Sequence, residues 1–352
     1  MSFDLPPFRQ RFPWWGADLQ TLAGRLRAAP FAPNSCCSER LSFRLHDGDV
    51  LLASLDRPAT AQPARPLVLL IHGLTGWEQS LYVQSQARLL TERGYCVLRL
   101  NLRGAGPSRA TCRGHYYAGR SQDLRELVSL LPTELTRQGL AVVGYSLGGA
   151  MLLKYLGEEG AAAPFVAAAS VSAPIDLSAT CRNMMRPRNR LYHRYILAEM
   201  KREATGEGAQ LSRKERANVL GAETIWHYDE GFIAPRHGFD GAEDYYERCK
   251  PVRFMPAIRV PTLVLASLDD PWIPGPLYSS YDWAGNKALI PVLTDRGGHV
   301  GFHGAGDHRP WSDLVVATFF GTYACADSQP SVRPSSVALA TSATTATAWR
   351  RD

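Results

Sequence analysis

Residues 141–150 read A-V-V-G-Y-S-L-G-G-A, and the fold is decided at this stretch. A short apolar run stops at Gly144, a single serine stands at position 146, and two glycines follow one residue later. A serine hydroxyl is raised above a sheet only by a very tight strand-to-helix turn. Such a turn has room only for small residues at the positions two before and two after the serine. The stretch therefore predicts a strand, a sharp turn that carries Ser146, and a helix that begins directly after it.

Apolar runs and helical patterns alternate on both sides of this turn. Nearly continuous apolar strands that alternate with helices are typical of an α/β protein with a mostly parallel central sheet and helices on both faces. The predicted strands cover 67–73, 95–102, 140–143, 165–173, 261–267 and 288–294, and the predicted helices cover 79–93, 119–131, 148–158 and 311–324. A hairpin is expected at 40–55, where apolar-rich runs flank an Asp-Gly turn.

The alternation stops after Pro174. Residues 176–250 are charged, aromatic and helix-leaning, with no clear strand. Because ligands bind at the carboxyl ends of parallel strands, we interpret about 176–255 as a helical cap inserted into one domain at 1–325. The last residues, 326–352, are rich in Ser, Thr, Ala and Pro without apolar periodicity, which predicts a disordered tail.

A serine hydroxyl becomes a good nucleophile when a histidine takes its proton and an acid holds that histidine in the right tautomer. After a serine elbow, the acid and then the histidine are expected downstream. The motif S-L-D-D-P follows a strand and offers Asp269 and Asp270, and G-G-H-V-G-F places His299 after the next strand. We choose Asp270, because a proline directly after it stiffens the loop. Singly, the aspartates also fit helix caps and His299 a plain loop residue, but together with Ser146 they predict a catalytic triad.

The tetrahedral intermediate of such a reaction needs two backbone donors for its oxyanion. The N–H of Leu147, at the start of the predicted helix, is one expected donor. The loop H-G-L-T-G at 72–76 follows an early strand, and its Leu74 N–H is the other. His72 in this loop is interpreted as structural rather than as a base.

The sequence favours no metal and no organic cofactor. His299 and His303 are four residues apart with Asp307 and His308 close by, but glycines interrupt any helix there and the His-Glu-x-x-His pattern is missing. Neither G-x-G-x-x-G after the first strand nor the phosphate loop G-x-x-x-x-G-K-[ST] occurs.

Cysteine usage and segment hydrophobicity indicate the compartment. The 7 cysteines include no Cys-x-x-Cys pair, which argues against a disulfide framework and fits a reducing environment. The sequence begins without the basic and apolar pattern of a secretory signal, and no run of about 18 apolar residues predicts a membrane span. A cytoplasmic protein is expected.

The formal net charge is +6. Ten Arg and Lys residues against four Glu lie between Arg182 and Arg216, an excess equal to that of the whole chain. No nucleic-acid-binding motif accompanies this run, so a nucleic-acid partner is not expected. Two interpretations stay open: a solvated helical face, or a surface at 182–216 that meets anionic lipid or an acidic substrate.

Taken together, the motifs resemble the α/β-hydrolase superfamily and, within it, the YheT-like branch of abhydrolase-domain proteins and predicted esterases. The similarity rests on A-D-L-Q-T-L at 17–22, H-G-L-T-G at 72–76, L-N-L-R-G-A-G-P-S at 100–108, G-Y-S-L-G-G at 144–149, S-L-D-D-P at 267–271 and G-G-H-V-G-F at 297–302. The resemblance implies Ser146 as nucleophile, Asp270 as acid and His299 as base. It also implies hydrolysis of small-molecule or lipid-like esters with short to medium acyl chains. The family usually has an Asn-Pro-His-type lead before L-Q-T, where this chain has W-G-A-D.

The leading hypothesis is a serine carboxylesterase that forms an acyl-enzyme. One alternative is an acyltransferase, ester synthase or lipase-type enzyme on the same triad. An alternative of another class is a non-catalytic binding module of this fold, although such proteins usually lose a triad residue. Oligomeric state, acyl chain length and alcohol are left open by the sequence.

Overall fold

The computed structural model describes residues 7–26, 38–59 and 65–324. Its strands are β1 (Ser38–Arg44), β2 (Val50–Asp56), β3 (Leu67–Ile71), β4 (Val97–Leu100), β5 (Leu140–Tyr145), β6 (Ala167–Val171), β7 (Thr262–Ser267) and β8 (Leu289–Thr294). They form a sheet in the order β1-β2-β4-β3-β5-β6-β7-β8. The predicted tail at 326–352 lies outside the described residues.

The sheet confirms the predicted, mostly parallel α/β architecture. β1 and β2 form the expected hairpin, with Phe43 opposite Leu51, and β2 pairs antiparallel with β4. All other neighbouring strands are parallel, and Leu69 of the central β3 lies between Leu98 and Val142. β3 to β7 are buried along their whole length, which explains why they read as continuous apolar runs rather than as alternating ones.

Helices cover both faces of the sheet and fill the segment between β6 and β7. In the described ranges they are α1 (Gly16–Leu26), α2 (Leu81–Glu92), α3 (Ser121–Leu130), α4 (Thr133–Thr136), α5 (Leu147–Glu159), α6 (Leu177–Met184), α7 (Arg190–Thr205), α8 (Arg213–Gly221), α9 (Ile225–Tyr228), α10 (Ala234–Arg236), α11 (Ala242–Cys249), α12 (Pro276–Ser279) and α13 (Trp311–Tyr323). None of these helices combines the length and the apolar character that a membrane crossing requires.

Alternate residues of each strand enter separate hydrophobic cores on the two faces of the sheet. Leu67, Leu69 and Ile71 of β3 belong to one core, together with apolar residues of α3 and α5. Val68 and Leu70 belong to the other, together with residues of α2 and α13. On each face the two helices pack against each other: α3 against α5 on one face, and α2 against α13 on the other. The parallel strands are thereby shielded from water on both sides.

The segment between β6 and β7 is helical, with α6 to α11 and no strand among its residues, all of which are described. These helices share a hydrophobic cluster that includes Ile196, Met200 and Phe232. Leu74 and Leu147, which follow β3 and β5, pack against that cluster. The helical insertion, residues 176–255, thus lies over the carboxyl ends of the central strands, while its role as a cap stays a prediction.

The L-N-L-R-G motif serves the fold through a buried arginine. Arg103 is 1% exposed, and its guanidinium donates to Asp123 at 2.8 and 2.9 Å, to Asp49 at 2.5 Å and to Asp47 at 2.6 Å. These contacts join the β1–β2 hairpin to α3. Removal of one partner from such a buried group of charges is strongly destabilising, because the remaining charge stays desolvated.

A buried carboxyl between α2 and α13 makes stability depend on pH. Asp313 is 1% exposed and accepts a hydrogen bond from Ser85 Oγ at 2.5 Å. Burial raises its pKa from 3.8 to about 7. A carboxyl whose pKa is raised in the folded state stabilises the fold at low pH, and this stabilisation is lost as the pH rises through about 7.

We predict that Asp313→Asn retains more stability at high pH than wild type does. The amide imitates the protonated acid and has no charge to bury, so the advantage over wild type should grow between pH 5 and pH 8 by about 2–3 kcal/mol. Urea unfolding at several pH values measures this. Asp295→Asn, at an exposed position, is the control. Parallel pH profiles of wild type and Asp313→Asn would contradict the prediction.

Candidate active site

Ser146 occupies a strained turn between β5 and α5. Its φ is +49° and its ψ is −121°, in a region that non-glycine residues rarely adopt. A Cβ atom at Gly144 would lie 2.5 Å from the carbonyl oxygen of Gly148, and one at Gly148 would lie 2.3 Å from that of His72. Both positions therefore have no space for a larger residue, which is the geometry of a nucleophile elbow.

The side chains of Ser146, His299 and Asp270 form a hydrogen-bonded row. Ser146 Oγ lies 2.9 Å from His299 Nε2, and Asp270 Oδ2 lies 2.7 Å from His299 Nδ1. A carboxylate only accepts, so Nδ1–H is the donor to Asp270 and Nε2 is left to accept from the serine hydroxyl. The three residues follow β5, β8 and β7, whose carboxyl ends share one edge of the sheet.

The two adjacent aspartates make different contacts. Asp270 directs Oδ2 at His299, while its Oδ1 accepts the backbone N–H groups of Trp272 and Ile273 at 2.8 and 3.1 Å. Asp269 accepts from the side chain of Ser267 and from the N–H of Gly298 at 2.9 Å. Asp269 thus holds the loop in front of the histidine, and Asp270 contacts the histidine ring.

Trp272 is a site residue that the sequence reasoning missed. Its ring stacks on the His299 ring, with centroids 4.2 Å apart and an angle of 28° between the planes. Tyr192 of α7 meets the same tryptophan edge-on at 5.7 Å. The only available signal was its place two residues after Asp270. The stacked indole shields one face of the imidazole from water.

The backbone N–H groups of the loop at 72–76 differ in whether they have an acceptor within the described part of the chain. Gly73 N–H donates to Tyr82 Oη at 2.9 Å, and Thr75 N–H donates to Tyr116 Oη at 2.7 Å. Gly76 N–H donates to the Gly73 carbonyl at 3.1 Å. Within the described ranges, no such acceptor is recorded for the N–H of Leu74, nor for that of Leu147 at the start of α5. These two groups are therefore available to an external acceptor.

His72 is held in a structural position beneath this loop. Its Nδ1–H donates to the carbonyl of Gly73 at 2.8 Å, and its Nε2 accepts the N–H of Leu102 at 3.0 Å. The ring is fully buried, and burial lowers its pKa to about 4. A neutral imidazole with both nitrogens occupied has no proton to exchange with a substrate, in agreement with the structural interpretation.

The A-D-L-Q-T motif holds the loop of His299 in place, a contribution that the sequence left unexplained. Gln20 is fully buried; its Oε1 accepts the N–H of His303 at 2.7 Å, and its Nε2 donates to the carbonyl of the same residue at 3.1 Å. Thr21 Oγ1 accepts the N–H of His299 at 2.9 Å. The contacts span more than 270 residues of sequence, so no local pattern could reveal them.

A cavity of about 830 Å³ opens onto Ser146 and His299. Most of its lining is apolar: Leu22, Leu74, Trp77, Leu81, Tyr82, Leu191, Tyr192, Tyr195, Ile196, Trp272 and Val300. At its rim, Arg188 of the insertion contacts both carboxylate oxygens of Asp18 in α1 at 2.9 Å. Three regions that are distant in sequence, namely α1, the 72–76 loop and α7, therefore enclose one space beside the serine.

Nothing in the described ranges gathers three or more His, Cys, Asp or Glu side chains in a way that could hold a metal ion. His299 is engaged with Ser146 and Asp270. His308 is exposed and lies 3.2 Å from Asp307. The four residues considered as ligands therefore do not converge.

Comparison with known proteins gives relatives over most of the chain. A model of the alpha/beta hydrolase family matches residues 68–318. An Escherichia coli protein named "Putative esterase YheT" is 32% identical over 322 residues, which cover 87% of this chain and 90% of that protein. A Saccharomyces cerevisiae protein named medium-chain fatty acid ethyl ester synthase/esterase 2 is 30% identical, over 72% of this chain and 62% of its own length.

Human phospholipase ABHD3 is 28% identical over 68% of this chain, and the chain spans 59% of that protein's length. Among solved structures, the esterase Pf2001 of Pyrococcus furiosus superimposes with a TM-score of 0.57 at 14% identity, covering 92% of this chain and 100% of the other. At that identity the likeness concerns the fold alone. The family match and the relative at 32% identity together show that this chain belongs to the alpha/beta hydrolase family.

Proposed function

We propose that the protein is a serine carboxylic-ester hydrolase that acts through an acyl-enzyme. The observation that carries the proposal is the hydrogen-bonded row from Ser146 through His299 to Asp270 beside an apolar cavity. Relatives named esterase, phospholipase and ester synthase support an ester as the substrate class.

The reaction starts when His299 Nε2 takes the proton of Ser146 as Oγ attacks the ester carbonyl carbon. Asp270 keeps the proton on Nδ1 and stabilises the imidazolium ion that forms. The oxyanion accepts hydrogen bonds from the N–H groups of Leu74 and Leu147, and the positive end of the α5 dipole stabilises it further. His299 then protonates the leaving alcohol and afterwards activates the water that releases the acid.

The cavity supports a short- to medium-chain acyl group. A volume of about 830 Å³ is within the range of small-molecule sites, and apolar walls favour an acyl chain over a polar substrate. The Arg188–Asp18 pair is about half exposed and lies at the rim, so the apolar interior has few charges to desolvate.

An acyltransferase or ester synthase is the second candidate. It would use the same acyl-enzyme with an alcohol in place of water. Tyr192, Tyr195 and Ile196 of α7 line the cavity, and such a wall favours an organic acceptor over bulk water. A non-catalytic binding module is less favoured, because Ser146, His299 and Asp270 are all present and are joined by hydrogen bonds.

We also propose that the face around α7 contacts anionic membrane surfaces. Leu191 and Trp77 both line the cavity, and their side chains are 80% and 43% exposed. Arg186, Arg190 and Arg194 are exposed on and beside α7. Apolar side chains flanked by basic ones suit insertion between anionic headgroups. This contact would bring lipid-like esters to the cavity.

The test of the nucleophile is turnover of p-nitrophenyl esters with acyl chains of two to twelve carbons. We expect Ser146→Ala to lower the rate by about 10⁴- to 10⁶-fold, and Ser129→Ala, an exposed serine on α3, to leave it unchanged. Equal activity of wild type and Ser146→Ala would contradict the proposal. Added ethanol separates the two catalytic candidates, because a synthase diverts product from free acid to ethyl ester.

The positioning of His299 by α1 is tested with Gln20→Leu. The substitution removes the acceptor of the His303 N–H and one of the donors to its C=O, which the N–H of Arg11 also contacts at 3.2 Å. The loss in a buried site should cost about 1–3 kcal/mol of stability, and it should lower kcat more than it raises KM. Gln122→Leu, at an exposed position on α3, is the matched control. Chemical unfolding and steady-state kinetics provide the readouts, and full stability with full kcat would rule out the role.

Membrane contact is tested by sedimentation with phosphatidylserine-containing vesicles. We expect wild type to bind them more weakly as salt increases, because the basic residues supply part of the attraction. Leu191→Asp should lower the partition coefficient about tenfold, whereas Leu220→Asp, at a leucine 55% exposed on α8, should not. Binding that is insensitive to salt, or equal loss in both variants, would overturn this surface assignment.

A further inference from the structure

The loop at 72–76 contains a backbone conformation that is unfavourable for the residue that adopts it. Thr75, directly after Leu74, has a φ of +57°. A β-branched residue in this left-handed region is a genuine outlier, and it persists only where surrounding contacts impose it. The peptide that carries the Thr75 N–H follows directly after Leu74, one peptide beyond the one that carries the Leu74 N–H, so whatever restrains Thr75 also limits the orientation of that group.

A buried hydroxyl contacts Thr75 directly, in addition to the hydrogen bond between Gly76 N–H and the Gly73 carbonyl that closes the turn. Thr75 N–H donates to Tyr116 Oη at 2.7 Å. Tyr116 is 2% exposed, and its ring meets that of His72 edge-on at 5.8 Å. Tyr116 does not line the large cavity, so it has no access to substrate and acts only through the loop.

Tyr116 is in turn fixed by the helical insertion. Its hydroxyl donates to Glu203 Oε2 at 2.8 Å. Glu203 lies near the end of α7, one turn after Glu199, which lines the substrate cavity. A small void of about 20 Å³ beside Glu203 is also lined by Leu74 and Leu147. Glu203 therefore borders the same void as the two residues whose N–H groups are the proposed donors.

Glu203 is uncharged under ordinary conditions. Burial raises its pKa from 4.5 to about 8, so at pH 7 the side chain is mainly the neutral acid. A glutamine can take its place with nearly the same shape and an oxygen that still accepts from Tyr116. A leucine can fill the space but cannot accept the hydrogen bond.

We infer that Tyr116, anchored by Glu203 of α7, is a positioning residue that holds the 72–76 loop so that the Leu74 N–H points at the oxyanion. The inference rests on the proposed serine mechanism and adds a role for the insertion. Through this chain of contacts the helix that lines the substrate cavity also sets one half of the oxyanion hole.

The first test compares Tyr116→Phe with Tyr117→Phe at pH 7. Tyr116→Phe removes only the hydroxyl, and we expect kcat on a p-nitrophenyl ester to fall about 10- to 100-fold, up to the effect of losing one oxyanion donor. KM should change less than twofold, because ground-state binding is not involved. Tyr117→Phe makes the same chemical change one residue away from the loop contact and should behave as wild type. A Tyr116→Phe variant with unchanged kcat overturns the inference.

The second test uses Glu203, and it keeps the inference falsifiable where Tyr116→Phe lowers stability. Glu203→Gln should keep most of the activity, and Glu203→Leu should lose as much kcat as Tyr116→Phe. The double variant Tyr116→Phe/Glu203→Leu should lose no more than either single variant, because both act through one contact. Additive losses, or full activity in Glu203→Leu, would remove Glu203 from the assignment.

A fluorophosphonate that labels Ser146 separates this inference from the proposed function. Phosphonylation also places negative charge on an oxygen in the oxyanion hole, and intact mass follows it without any ester turnover. A wild-type chain that is labelled but hydrolyses no ester contradicts the esterase proposal alone. Labelling at least tenfold slower in Tyr116→Phe supports the positioning role, and equal labelling rates contradict it.

Discussion

The tight turn at Ser146 is the constraint on which the rest of the site depends. A chain that reverses so sharply from strand to helix has no room for side chains at Gly144 and Gly148, whose Cβ atoms would meet backbone oxygens at 2.5 and 2.3 Å. In return, the serine hydroxyl stands above the sheet edge, and α5 begins with the residue directly after it. The energetic cost of the unusual backbone is offset by the packed strand and helix on either side.

Around that turn, the site is assembled from loops that follow different strands. Parallel strands bring their carboxyl ends to one edge, so the loops after β3, β5, β7 and β8 meet although they lie far apart in sequence. The loop after β7 supplies Asp270, and the loop after β8 supplies His299. Helix α1 then secures the histidine loop from outside the sheet through Gln20 and Thr21. The arrangement resists small shifts because each of these loops is hydrogen-bonded to another part of the chain.

The helical insertion contacts two different parts of the site. Its helix α7 lines the cavity with Tyr192 and Ile196 on one turn and reaches Tyr116 through Glu203 on a later one. The same helix thus lines the cavity and, through Tyr116, is connected to the loop that carries the Leu74 N–H. Rigid elements hold such geometry better than free loops do.

The order and type of the elements could be predicted from the sequence, because each depends on local patterns. Buried strands read as apolar runs, the hairpin has its Asp-Gly turn, and the elbow requires glycines at fixed spacing. The residues of the serine row could be selected for the same reason, since each stands directly after a predicted strand. The choice of Asp270 over Asp269 rested on the prolines at 271 and 274 and on the family resemblance, and only the structure gives the carboxylate that contacts His299.

Contacts between distant segments were decided by the tertiary structure alone. No pattern in the sequence indicates the pairing of Gln20 with His303 or the stacking of Trp272 on His299. The same is true of the hydrogen bonds that join Glu203 to Tyr116 and Tyr116 to Thr75. Each depends on where two elements come to rest after the core has packed, and burial and hydrogen bonding then determine what these side chains do. The sequence by itself determined the sheet, the elbow and the serine that the elbow carries, because these follow from local sterics and hydrophobic patterning. The tertiary structure decided how the site is held and enclosed, because those interactions join residues that only folding brings together.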